Sequence, residues 1–152
     1  MTAAPPFVVK PVNWRASQEA IRAIRTRVFV EEQRIPEELE WDEEDEHSYH
    51  VLVYASDGSP VGTGRLLRDG RIGRMAVLKE WRGRGAGSAL MKYLLWLAAK
   101  MGFDEVKLHA QVRAAGFYAK HGFRAEGEEF MEAGIPHVVM SRTTTDADGR
   151  ES

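Results

Sequence analysis

Residues 80–88 read EWRGRGAGS, with glycine at 83, 85 and 87 and arginine at 82 and 84. The stretch lies between a strand-like run, IGRMAVL (72–78), and a run in which Leu90, Met91, Leu94, Leu97, Ala98 and Met101 recur along one helical face. A strand must therefore turn straight into a helix, whose first turn leaves backbone N–H groups unpaired at the positive end of its dipole. Glycines let a ligand reach those amides without a Cβ in the way, and Arg82 and Arg84 add mobile positive charge. The pattern predicts an anion site for a phosphate or pyrophosphate; a corner that only turns the chain is the alternative at this point. A Walker loop would end in Gly-Lys-Ser/Thr, whereas this turn runs on as GAGSAL without lysine. A dinucleotide fingerprint needs a third glycine beyond Gly87 in a βαβ unit near the start of the domain, and neither condition is met.

The rest of the chain alternates in type. FVVKPV (7–12) reads as a strand, and Ser17 is the expected N-cap of a helix carrying Ile21, Ile24, Val28 and Phe29, which Pro36 ends or re-aims. YHVLVYA (49–55), PVGTGRLLR (60–68) and IGRMAVL (72–78) are separated by turn residues and predict an antiparallel meander. After the helix, closed by Gly102, come a strand at 104–110, a short helix at 112–121 with Gly122 as its stop, and two strands, FRAEGEEFM and HVVMS. No repeat or linker interrupts the pattern, so one domain over residues 1–152 is expected, with frayed ends before Phe7 and after Arg142.

Composition narrows the chemistry. The chain has no cysteine, which excludes disulfides, thiolate metal sites and a cysteine nucleophile. MTAAPPFVVKP lacks the basic segment and apolar core of a signal peptide and no apolar run reaches the length of a membrane span, so a cytoplasmic protein without membrane contact is expected. The net charge of −2 gives no pull toward nucleic acid, and the arginines between 65 and 84 lack the interleaved aromatics of a single-strand binder. Eight of the ten residues from Glu37 to Glu46 are acidic. That run reads either as a rim attracting a cationic amine or as a solvated loop that Trp41 anchors to the core. His47, His50 and His109 form no recognisable metal set, and no metal is expected.

RMAVLKEWRGRGAGSALM resembles the acetyl-CoA motif of the GNAT N-acetyltransferases, with Arg82, Gly85 and Gly87 at its three defining positions. AQVRAAGFYAKHGF is similar to the second signature of that superfamily, and Tyr118 matches its tyrosine. RTRVFVEEQRIP with the downstream WDEED, and EAGIPHVVM, resemble the ElaA-like branch. The combined likeness runs from about Arg25 to Met140. It implies an α/β (α+β) fold: a mixed, mostly antiparallel sheet of six to seven strands flanked by about four helices. Its central pair, here 72–78 and 105–110, would splay around the pantetheine arm of acetyl-CoA. On that resemblance the backbone of Met75, Ala76 and Val77 bonds the arm. The amides of Arg82, Gly83, Arg84, Gly85, Ala86, Gly87 and Ser88 hold the pyrophosphate, and Gln111, Phe117 and Tyr118 add contacts. Gln111 stands where many members carry asparagine.

Acetyl transfer requires an amine stripped of its extra proton and a protonated leaving thiolate. The resemblance assigns Tyr118 to the sulfur, although packing beside Phe117 would equally explain a buried tyrosine. Glu32, Glu129 and His137 are the candidate general bases, each with an ordinary structural explanation: a solvated helix carboxylate, a cross-strand charge, and a hydrogen-bonded residue after a proline turn. A backbone N–H near Val77 would meet the developing oxyanion. The expected function is therefore acetyl transfer from acetyl-CoA to a primary amine of a small molecule or peptide, by direct attack in a ternary complex. The rivals are an acyl-CoA sensor without turnover, a regulator binding NAD or ATP, and an enzyme using a longer acyl chain. Monomer and homodimer are both compatible with the sequence.

Overall fold

The computed structural model describes residues 7–144. Seven strands are found there, β1 (Phe7–Val12), β2 (Tyr49–Ala55), β3 (Pro60–Leu66), β4 (Ile72–Val77), β5 (Glu105–Gln111), β6 (Arg124–Glu132) and β7 (Ile135–Thr143). They form an antiparallel sheet β1-β2-β3-β4 and a second one, β5-β7-β6. The two meet where β4 and β5 run side by side, joined by a single parallel bridge between Arg71 and Lys107. The helices are α1 (Trp14–Arg25), α2 (Glu37–Glu40), α3 (Ala86–Lys100) and α4 (Ala115–Lys120). This is the mixed, mostly antiparallel architecture with a parted central pair that the sequence implied.

Both faces of the first sheet are covered, which explains why β2 is almost continuously apolar. Val51, Val53 and Ala55 join the core beneath α3 with Leu90, Met91 and Leu94, while Leu52, pointing the other way, joins Ile21, Ile24 and Trp14 of α1. In β4 the two-residue alternation breaks. Ile72 belongs to the α3 core but Ala76 to the α1 core, although an even spacing should keep them on one face. The cause is a bulge: Arg74 and Met75 together oppose Gly64, and Arg74 takes a left-handed φ of 51°.

Several local expectations change. α1 begins at Trp14, because the Asn13 side chain accepts the Ala16 N–H at 3.2 Å; Ser17 lies in the first turn and is not the cap. Beyond Arg25 the helix widens into π geometry over Thr26–Glu32. Met101 is exposed and follows α3 instead of lining it. Gly102 does close α3: its N–H bonds the Ala99 carbonyl and the Phe103 N–H that of Ala98. The short helix splits into a 3-10 turn at Val112–Ala114 and α4. The expected fraying before Phe7 falls outside the described residues, as does that after Thr144. Order does not stop at Arg142, since β7 runs to Thr143 and Thr144 is buried with its hydroxyl 2.8 Å from the Phe103 carbonyl.

Candidate active site

Past the Arg71–Lys107 bridge, β5 pairs with β7 and leaves the facing edge of β4 without a partner strand. The Leu78 N–H bonds the Val61 carbonyl of the β3 side at 2.9 Å, so by alternation Ala76 also directs its backbone to β3, opposite Thr63. The carbonyl of Met75 and both backbone groups of Val77 are left pointing into the gap. Ala76 was expected to offer its backbone there too, and the alternation of an antiparallel pair excludes it. The Arg82 Nε–H occupies the Val77 carbonyl at 2.9 Å, which leaves the Val77 N–H as the donor on this edge.

The glycine turn continues from β4. Gly83 and Gly85 have φ of 74° and 96°, and a Cβ on either would touch nothing within 4 Å, so these positions need glycine for backbone conformation. Gly87 differs: its added Cβ would lie 3.4 Å from the Phe117 ring, which places Phe117 against the first turn of α3. The first backbone bond at this end of α3 joins the Ala89 N–H to the Gly85 carbonyl, leaving the N–H groups of Ala86, Gly87 and Ser88 without helical partners. The Ser88 hydroxyl meets His121 Nε2 at 3.1 Å. Neither arginine is the loose charge that was expected. Arg84 lies over the Trp81 ring at 4.9 Å, and Arg82 makes two bonds to the Glu32 carboxylate, at 2.6 and 2.7 Å. The Arg82 hydrogen bond holds the Glu32 carboxyl below its ordinary pKa, so this base candidate is engaged in clamping the turn.

Beside the gap opens a cleft of about 530 Å³, whose lining includes Gln33, Met75, Gln111, Tyr118, Glu132 and His137. Glu32 and Glu129 are not among its lining residues. Glu129 is exposed in the irregular stretch of β6 between Glu126 and Phe130, where the register with β7 shifts. Tyr118 packs edge-on against Phe117 and Phe123, with ring centroids 5.3 and 6.0 Å away. Burial pushes its pKa up to about 12, and no group among the described residues bonds its hydroxyl. His137 is 6% exposed, and its Nδ1 lies 2.7 Å from the Ile135 carbonyl. A carbonyl only accepts, so Nδ1 carries the hydrogen and Nε2 keeps a lone pair in the neutral ring. Glu132 stands 3.7 Å from that Nε2 and 2.9 Å from His109 Nδ1. Gln111 is held across the cleft, donating to the Gln33 side-chain oxygen at 2.8 Å and accepting from Arg113 Nε at 3.1 Å.

Glu132 is the residue sequence reasoning passed over. It shares a strand face with Phe130, and Phe130 opposes His137 in the register, a relation that depends on where β6 slips. The acidic run also has another role. Glu40 and Asp45 are buried and Asp42 half-covered, and Arg25, Arg65 and Arg74 bind them. Trp41 does anchor the run, lying under the Arg22 and Arg25 guanidinium groups at 4.9 Å from each.

The family model for the acetyltransferase (GNAT) domain matches residues 14–144. The chain belongs to the GNAT acetyltransferase family. The relative YjcF of Bacillus subtilis, described as an uncharacterized N-acetyltransferase, is 44% identical over 123 residues, covering 78% of this chain and 87% of its own. Among solved structures, an acyl-CoA N-acyltransferase from Pseudomonas aeruginosa superposes with a TM-score of 0.77 at 32% identity, covering 90% of this chain and 97% of its own. Escherichia coli ElaA superposes with a TM-score of 0.79 at 29% identity, covering 90% and 99%. No helix among the described residues is long and apolar enough to cross a membrane.

Proposed function

We propose that the protein is a cytoplasmic GNAT enzyme of the ElaA-like branch that acetylates a primary amine of a small molecule or peptide by direct attack in a ternary complex. The observation that carries this reading is the unpaired edge of β4, which ends in the free amides at the start of α3. A pantetheine arm needs such a backbone edge, and a pyrophosphate needs such amides. Bound acetyl-CoA supplies an activated acetyl thioester, and its transfer releases coenzyme A. The Val77 N–H meets the carbonyl oxygen as negative charge gathers there. His137 Nε2 takes the extra proton of the acceptor ammonium, and Glu132 beside it steadies the imidazolium. Tyr118 donates from its hydroxyl to the departing sulfur. A phenol held near 12 does not surrender its proton to a thiolate of pKa about 8.5 in a separate step. Its proton transfer is therefore coupled to the proton shed by the new amide nitrogen.

The test is calorimetric titration with acetyl-CoA together with a thiol-release assay over a panel of primary amines. Wild type is expected to bind and turn over, and Tyr118→Phe to keep its acetyl-CoA affinity while kcat falls about a hundredfold. Binding without turnover of any amine would favour the sensor. No binding by folded protein would remove the enzyme reading.

A further inference from the structure

The cleft has a second chemical end, away from Tyr118 and His137. Arg65, Arg71, Gly73 and Arg74 line it, from β3, β4 and the turn between them. Arg65 is 5% exposed; its Nη atoms bond Asp42 and Asp45 at 2.7 to 2.9 Å, but its Nε is buried with no partner. An unmet buried donor on a charged group is costly and uncommon. Gly73 lies opposite Arg65 in the register. A Cβ at Gly73 would come within 3.9 Å of that Nε and meet nothing else within 4 Å, so the space lies on the Gly73 side, and a ligand meets the covered Nε only after a small shift of the guanidinium.

Arg74 is also loosely held. The bulge that breaks the alternation of β4 turns it toward the acidic run, at the cost of a left-handed backbone in a non-glycine residue. Its Nε and Nη2 reach the Glu40 carbonyl at 3.3 and 3.2 Å, Nε stands 3.2 Å from the Glu40 carboxylate and Nη2 3.3 Å from that of Asp42, all longer than good charge-assisted bonds, and Nη1 bonds none of the described residues. Burial lowers its pKa, and the attraction of Glu40 and Asp42 does not recover what burial and the repulsion of Arg65 and Arg25 remove. Arg65, by contrast, is held above its ordinary value by Asp42 and Asp45 despite its burial.

We infer that Arg65 Nε and the Arg74 guanidinium form a subsite for a carboxylate of the acceptor, so that the amine is presented to His137 by an amino carboxylate bound through its other end. A monoanion fits better than a phosphate dianion, because Glu40, Asp42 and Glu44 share the same wall. This rests on the acetyltransferase reading for the amine end, but the arginine end stands on its own geometry.

The experiment compares a homologous series of ω-amino carboxylates and ordinary α-amino acids with alkylamines and aminoalkyl phosphonates of matched length, in the thiol-release assay. The best amino carboxylate is expected to exceed its matched amine in kcat/KM roughly tenfold or more. Arg74→Gln should collapse that ratio toward one while Arg74→Lys keeps part of it. Gly73→Ala puts a methyl beside Arg65 Nε without touching other atoms, and should raise KM for the carboxylate series only. Equal use of amine and amino carboxylate by wild type, an equal loss for both in Arg74→Gln, or preference for the phosphonate would overturn the inference. If nothing is acetylated, titration of the same amino carboxylates into protein saturated with coenzyme A separates the two readings. Binding lost in Gly73→Ala and Arg74→Gln upholds the subsite although the enzyme reading fails; absence of binding overturns the subsite.

Discussion

Single side chains in this molecule take their roles from their neighbours. Burial raises the pKa of Tyr118, whereas the hydrogen bond from Arg82 lowers that of Glu32, so each group's ordinary protonation state is reinforced by a different neighbour. His50 illustrates the same rule away from the chemistry. It is buried, stacks on Trp14 at 4.8 Å and places Nε2 2.7 Å from the Asp45 carbonyl, and burial lowers its pKa. A histidine depressed in the folded state contributes stability that is present above the unfolded value of about 6.5 and is lost as pH falls toward the folded one. The thermal midpoint should therefore drop as pH is lowered through about 6.5, and His50→Gln should flatten that part of the profile when melting is followed by circular dichroism. A midpoint unchanged across that range in wild type would count against a neutral His50.

Among the elements, the turn from β4 to α3 uses each of its glycines differently. Gly85 has a left-handed backbone and an open side, so Gly85→Ala is expected to cost about 1 kcal/mol in stability and to weaken acetyl-CoA binding about tenfold. Gly87→Ala places its methyl at ordinary contact distance from Phe117 and should be milder on both measures, as read by denaturant unfolding and calorimetry. Equal effects of the two substitutions would show that the distinction between conformation and packing is misplaced. The bulge in β4 works at the same scale: one extra residue moves Ala76 to the α1 side, points the Val77 N–H into the gap and turns Arg74 to the acidic run.

For the whole molecule, the buried charges tie the acidic run to α1 and to the β3–β4 side of the cleft. Arg25 is 1% exposed and bonds Glu40 and Asp45 at 2.6 and 2.8 Å. Arg25→Met would leave Asp45 with Arg65 alone and Glu40 with the longer contact to Arg74, and is expected to lower the unfolding free energy by about 3–5 kcal/mol, measured in urea. A loss below about 1 kcal/mol would mean that the network contributes no more than surface pairs do. How much of this was legible beforehand follows the range of the interactions. Strands, helices and the glycine turn could be read from the chain, because periodicity and φ requirements are local and leave marks within a few residues. Trp14 as the start of α1 was missed, because Asn13 and Ser17 are both good caps and the folded chain shows Asn13 taking the role by accepting the Ala16 N–H. That Glu132 and not Glu129 lines the cleft, the Arg82–Glu32 clamp across 50 positions of chain, and the neutralised acidic run lay beyond reach of the sequence. Each depends on where a strand slips register or on which distant charge arrives opposite. Local propensity thus determined the elements and the glycine turn with its free amides, while register and long-range charge pairing, present only once the sheets are assembled, decided which carboxylates and arginines face the cleft.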